Sequence, residues 1–435
     1  MNGILRATAV FAVCVGSSSA IAADTKIDAS DTGFIIIATA LVLMMTLPGL
    51  ALFYAGMVRR KNVLGTVAQS AAAVAIVSLL WFAIGYSLAF SGSGPVLGDF
   101  GRIFMAGVGL GTTTALAPTI PEMLFCIYQM TFAVITCALV GGSVADRMKF
   151  SAFCLFCIFW LFIVYIPSAH MVWGGGWLAS IGVVDFAGGA VVHINAGVAG
   201  LVAALVIGKR RGYGKDNMSP FDLTLAVVGT GLLWVGWFGF NGGSALSAGG
   251  RAVFAIMSTH LAACAGAIVW SVLEWLQRGK PSVLGIISGA IAGLGTITPA
   301  SGFVLPWHGV VIGALAGGVC YYFCTIVKMR LRYDDSLDVF GVHGVGGSLG
   351  MLMVGVFATA SLSASGETAG VSGLIEGNAQ QLWVQAAGVL VTALWCAAGT
   401  WIVLKIVDAM TGLRINADEE QQGVDLAMHG EAIHQ

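Results

Sequence analysis

The chain has 435 residues, of which 58% are hydrophobic and only 9% charged, and its formal net charge is -1. Soluble domains carry about a quarter charged residues, so a water-soluble fold is excluded: too few charges exist to cover the apolar surface. The near-zero net charge gives no basis for a nucleic-acid partner, and the 61 glycines suit helices that approach one another closely in lipid.

In chain order, the N-terminus reads as a cleaved signal peptide over residues 1–22. Arg6 supplies a short positive region, residues 5–15 are apolar, and Ala20-Ile21-Ala22 offers an A-x-A cleavage pattern. Stretches free of Lys, Arg, Asp and Glu then run over 34–57, 63–90, 123–144, 150–173, 186–208, 223–249, 252–273, 281–327, 339–366 and 377–404. Each is long enough for a membrane helix, which needs about 20 apolar residues. The stretch 281–327 is too long for one span and contains the turn signal Thr298-Pro299-Ala300-Ser301-Gly302, so it predicts two. The expectation is an all-α membrane protein with eleven transmembrane helices within 23–407 and a short polar tail over 408–435, too small for a catalytic domain.

The connections after the odd-numbered spans carry fourteen basic residues, among them Arg59-Arg60-Lys61 and Lys209-Arg210-Arg211, whereas the even-numbered connections carry only Arg102 and Arg251. Basic residues favour the cytoplasmic side. This places the protein in the inner membrane as a multi-pass chain, with the mature N-terminus periplasmic and the tail cytoplasmic.

Nine cysteines are scattered through apolar stretches. Cys154 and Cys157 have CxxC spacing, but their Phe, Leu and Ile surroundings fit two small hydrophobes on one helix face better than a redox or metal site. An internal echo is more informative. Asp185 precedes His193, which starts H-x3-G-x2-G through Gly197 and Gly200; Asp338 precedes His343, which starts the same pattern through Gly347 and Gly350. The copies fall on spans five and ten and so enter from opposite sides, the mark of a five-plus-five inverted repeat with one extra C-terminal helix and a substrate route at the repeat interface. Chance recurrence of small residues is the competing explanation, because Gly is common here.

Charged groups inside a membrane cost roughly 2.5–3.5 kcal/mol or more each, and the span centres avoid them. What they contain is histidine. His193 and His343 lie well inside their spans, and a neutral imidazole pair can pass a hydrogen bond or a proton without a fixed charge. Two His alone make a poor metal site, and nothing is spaced to complete one. His260 has no repeat partner and reads as structural; His170 and His308 sit at outer span ends and fit an interfacial role equally well. Asp185 opens span five, where capping and loop bracing come first and attraction of a cation second. Trp173 begins W-G-G-G at the end of span four, Phe240 and Ser244 lie in the run from Trp237 to Ser244, and Phe132 follows Tyr128 and Gln129. An aromatic cage with a hydroxyl acceptor suits a small hydrogen-bonding cation, though spacing alone does not assemble these residues into one site.

At these positions the chain resembles the bacterial ammonium transporter (Amt) family. The matching segments include PGLALFYAGMVRRKN at 48–62, SAHMVWGGG at 168–176, DFAGGAVVHINAGVAGLVAALVIGKR at 185–210, GWFGFNGGSA at 236–245, GAIAGLGTITPA at 289–300 and DVFGVHGV at 338–345, with GLR and HGE in the tail. The resemblance covers nearly the whole mature chain. It implies an ammonium recruitment site at Trp173, Phe132 and Ser244, and a stacked phenyl gate of Phe132 and Phe240. It further implies a twin-His pore at His193 and His343, with Asp185, Thr298, Gln129 and Trp237 in support. Further implications are ammonium (with methylammonium as analogue) as substrate and a homotrimer in membrane lipid. A PII-type signalling protein is implied as partner on the cytoplasmic face, with no cofactor. The rival expectation is an ammonium sensor of the same fold. A membrane enzyme is a distant third, since no nucleophile, metal set or acid–base carboxylate pair is visible.

Overall fold

A computed structural model describes residues 26–364 and 369–433; the expected signal peptide lies outside the described residues. Eleven apolar helices carry the chain back and forth. We label them α1 (Ala29–Met57), α2 (Arg60–Phe90), α3 (Glu122–Val144), α4 (150–172), α5 (Gly189–Ile207), α6 (Leu223–Gly242), α7 (Gly250–Arg278), α8 (Val283–Ile297), α9 (Pro306–Leu331), α10 (Phe340–Phe357) and α11 (Ala379–Thr411). Ten helices among the described residues are long and apolar enough to cross a membrane; α8, with 15 residues, is the shorter one. At 1.5 Å per residue it spans only about 22 Å. It ends where the Pro/Gly turn signal stands, and the chain reverses through residues 298–305 into α9.

Helix ends differ from the charge-free stretches in an understandable way. α7 runs on through Glu274 to Arg278, and α11 through Lys405 and Asp408 to Thr411. Charge limits depth in hydrocarbon, not helix formation, and both ends are polar. α6 stops at Gly242, seven residues short of the stretch, where Gly242-Gly243 leads into an irregular turn. α1 is bent where Pro48 withholds a backbone N–H.

Close approach of helices depends on glycine. A methyl group on Gly197 in α5 would sit 2.0 Å from the backbone nitrogen of Gly344 in α10, and one on Gly347 would sit 2.8 Å from Cβ of His193. The repeated H-x3-G-x2-G pattern is therefore where α5 and α10 press together. Gly266, Gly289, Gly293 and Gly313 do the same among α7, α8 and α9.

The basic connections and the tail form one network at the end of the bundle opposite Trp173. Arg210 clasps the Asp334 carboxylate at 2.7 Å and also reaches Asp146, which Arg59 contacts at 3.1 Å. Burial pushes the Asp334 carboxyl up, but hydrogen bonds and charge from Arg210 outweigh it and hold the group below its ordinary range. Burial pushes buried Arg147 down to about 10, and it donates to carbonyls of residues 145, 208 and 334. Residues 412–433 fold back onto this surface. Lys149 N–H donates to Leu413 O, Ile415 N–H to Arg147 O, Val424 N–H to the Asn62 side chain and Gly65 N–H to the Asp425 carboxylate.

Candidate functional site

The ten residues singled out in the sequence converge on one line through the bundle. α3 brings Phe132 and Gln129, α6 brings Trp237, Phe240 and Ser244, the α4 end brings Trp173, and α5 and α10 bring the two histidines. At one end a cavity of about 190 Å³ is lined by Gln129, Phe132, Trp173, Asp185, Ser244 and neighbouring aromatics. The Trp173 ring stands perpendicular to Phe132 at 5.9 Å, and its Nε1 donates to the Asp185 backbone oxygen at 2.8 Å. Ser244 Oγ donates to Phe240 O at 2.8 Å and keeps acceptor capacity at the cavity wall. Tyr128 lies beneath: its hydroxyl is 3.0 Å from the carbonyls of both Gly239 and Phe240, so it fixes the turn that carries Phe240 and Ser244. The sequence offered Tyr128 only as a neighbour of Phe132; its partners are more than a hundred residues away.

The floor of the cavity is a pair of phenyl rings. Phe132 and Phe240 stack with centroids 4.2 Å apart and an interplanar angle of 25°. Both side chains are buried. Beyond them lies a slot of about 10 Å³, lined by Ile135, Val192, Leu233, Trp237, Phe240, Ile291 and the two histidines. His193 Nδ1 and His343 Nδ1 are 3.1 Å apart, and the rings are nearly parallel at 9°. Trp237 stacks on His193 at 5.6 Å and 16°, and its Nε1 is held by Thr298 Oγ1 at 2.9 Å. Thr298 thus orients the indole that orients the imidazole. His193 Nε2 has no hydrogen-bond partner within the protein among the described residues. On the far side, a cavity of about 170 Å³ opens beside His343, Phe53, Tyr54 and Asp338. The stacked rings separate the first cavity, lined by Phe132, from the slot, lined by Phe240, while Phe53, Ile291 and His343 line both the slot and the third cavity.

The Nδ1–Nδ1 contact has a chemical consequence. One nitrogen must donate and the other accept, so a neutral pair shares one N–H between them. The ring whose Nδ1 accepts carries its other proton on Nε2; the ring whose Nδ1 donates has a bare Nε2. The pair therefore shows a donor at one outward nitrogen and an acceptor at the other; the two faces exchange only when a proton arrives at the bare Nε2, the shared proton crosses, and the Nε2 proton of the other ring leaves.

Asp185 lies just before α5 and is buried. Its carboxylate accepts from the N–H groups of Gly188, Gly189, Ala190 and Val191 at 2.7–3.2 Å. Gly188 has φ +118, a conformation other residues rarely adopt, and this lets four donors converge. The remaining histidines stand apart from the line. His170 lies between Ala89 O and Gly94 O, and His308 accepts from Leu305 N–H at the start of α9. His260 is exposed on the outer face of α7 against Trp234 and Phe238. Cys154 and Cys157 are free thiols within α4, Cys157 fully buried.

With this geometry in view, comparison with known proteins is decisive. The model described as Ammonium Transporter Family matches residues 33–433. The chain belongs to the ammonium transporter family. The ammonium transporter of Bacillus subtilis (strain 168) is 46% identical over 407 residues, covering 93% of this chain and 98% of that one. Ammonium transporter Amt1 of Archaeoglobus fulgidus is 42% identical over 405 residues, covering 93% and 99%. Among solved structures, the crystal structure of Saccharomyces cerevisiae Mep2 superimposes with a TM-score of 0.84 at 38% identity, covering 90% of this chain and 88% of that one. A protein described as Sensor Amt Protein gives 0.84 at 28% identity, covering 92% and 98%. As a family member the chain is a multi-pass membrane protein of the ammonium transport class.

Proposed function

We propose that the protein takes up ammonium by capturing NH4+ in the Trp173 cavity, removing a proton, and passing NH3 through the phenyl gate and the twin-His slot. The observation that carries this reading is the His193–His343 pair inside an apolar slot of about 10 Å³. A bare cation there would lose its hydration against walls without a compensating charge, at a cost of several kcal/mol. Ammonia needs only the donor and acceptor that the pair presents. Phe132, Trp173 and Ser244 supply cation–π faces and an acceptor for capture, and Gln129 Oε1, buried and without a partner among the described residues, adds another acceptor at the same wall. Asp185 holds the start of α5 and adds negative field; Trp237 and Thr298 set the orientation of His193. Uptake of a proton at one outward Nε2, passage of the shared proton between the Nδ1 atoms, and release from the other Nε2 give a separate proton route, so net transport is electrogenic.

The same reading includes eleven spans arranged as an inverted repeat with one extra helix, an inner-membrane location, and a periplasmic N-terminus after cleavage near residue 22. The reciprocal Gly197–Gly344 and Gly347–His193 contacts support the repeat. A homotrimer and a PII-type protein docking on the basic end and the tail complete it. Detergent mass measurement, a reporter fused after residue 435 and pull-down by the PII-type protein with and without residues 414–435 test these; a monomer, a periplasmic reporter or no binding in any nucleotide state would remove the corresponding element. A sensor role is the second reading, favoured by the similarity to Sensor Amt Protein. Pure protein in liposomes under an ammonium gradient separates the two: a transporter gives a current, and a folded protein that gives none overturns the transport reading.

A further inference from the structure

The capture cavity contains a charge that this scheme does not use. Arg251, the second residue of α7, lines the same cavity as Phe132, Trp173 and Ser244. Its guanidinium sits 4.9 Å from the ring centroids of both Phe186 and Phe303, and its Nε donates to Gly302 O at 3.0 Å. Among the described residues it forms no ion pair, whereas Arg102, the other basic residue of the even-numbered connections, is paired with Glu122 at 2.9 Å. Asp185 lines the same cavity, and its carboxylate is occupied by four backbone N–H groups. Arg251 is unfavourably placed on two counts. A cation in the first turn of a helix opposes the helix dipole, and a guanidinium, charged at any working pH, repels a cationic substrate from a small cavity.

We propose that Arg251 is a specificity-determining residue of the capture cavity, rationing its cation affinity to a single monovalent ion held at the Trp173 and Phe132 faces. Two effects combine. The guanidinium covers the faces of Phe186 and Phe303, which would otherwise offer a second cation–π position in the same space. It also sets a fixed positive charge on the wall. A sphere of the observed cavity volume is about 7 Å across; at that separation and an effective dielectric between about 20 and 80, the repulsion weakens capture of a monovalent cation by roughly three- to fifty-fold, and of a divalent cation by the square of that factor. The inference rests on the capture role proposed for Trp173.

The test is ammonium-driven current from the full chain in liposomes, titrated at low and high ionic strength, with added Mg2+ as the divalent probe. Arg251→Gln removes the charge, and Arg251→Met also removes it while keeping an apolar stem between the two rings. Both are expected to lower half-saturation at least threefold at low ionic strength, with the difference shrinking in high salt, and to make the current more sensitive to Mg2+. Arg251→Lys retains the charge and is expected to keep both the half-saturation and the salt dependence close to the parent's. If all three variants shift together, Arg251 is only a brace for the 302–303 turn, and the proposal fails. It fails equally if the neutral variants match the parent at low ionic strength. Trp173→Leu run in parallel separates the two readings: if that variant also leaves half-saturation unchanged, the capture site itself is misassigned.

Discussion

Replacing Trp173 with Leu removes the largest aromatic face of the capture cavity. A cation–π contact is worth about 0.5–1 kcal/mol when exposed and about 2 kcal/mol when desolvated. Trp173 is half-buried and its cavity is open at one end, so a loss of about 1–2 kcal/mol is expected, which raises half-saturation roughly 5- to 30-fold. The indole also donates to Asp185 O, and losing that bond costs about 1 kcal/mol of local stability. Trp173→Phe separates the contributions, because it keeps a face and loses the N–H. Half-saturation for methylammonium current, measured at fixed maximal current on size-checked protein, is the assay. The order expected is parent, then Phe, then Leu. Leu equal to the parent would refute capture at this residue, and Phe as poor as Leu would assign the effect to the Asp185 contact instead.

Two further outcomes follow from the packing. Gly197→Ala places a methyl 2.0 Å from the Gly344 backbone nitrogen, and backbone cannot swing aside; separation of α5 from α10 should abolish current and lower thermal stability, whereas parent-like melting would show that the helices are not pressed together there. At the basic end, the Asp334 carboxyl is held below its ordinary range by Arg210. A depressed carboxyl stabilises the fold above its unfolded value near 4, and that stabilisation is lost as pH falls through the folded value. Thermal stability should therefore be insensitive to this pair from about pH 5 to 8 and decline below about pH 4; Arg210→Gln should lower the plateau and flatten the acid limb, and an unchanged acid limb would count against the assignment.

Much of this arrangement is legible in the sequence because lipid simplifies the code. Charge-free stretches locate every helix, with ends displaced by up to nine residues where the chain turns before the charge-free stretch is over, as at Phe357, and Thr298-Pro299-Ala300-Ser301-Gly302 marks the reversal between α8 and α9. The repeated H-x3-G-x2-G pattern points to both histidines, and its glycines prove to be the crossing of α5 with α10. What stays hidden is convergence at long range. The Trp237–Thr298 hydrogen bond spans 61 residues and the His193–His343 contact 150, and nothing in local periodicity announces such pairs. The position of Arg251 is hidden for a related reason: it is visible only as one of two basic residues on sparsely charged connections, while its stacking between Phe186 and Phe303 depends on three separate segments meeting.

The central claim is that the slot admits a solute only after it gives up its charge. His193→Asp tests it most directly, because a carboxylate in place of the His193 imidazole would draw water and cations into the slot. Currents for ammonium and for potassium, recorded from size-checked protein in liposomes, provide the measurement. Potassium cannot deprotonate, so the account predicts none for the parent and a potassium current in the variant alongside ammonium. A folded variant that carries parent-like ammonium current and remains closed to potassium would contradict selection by deprotonation.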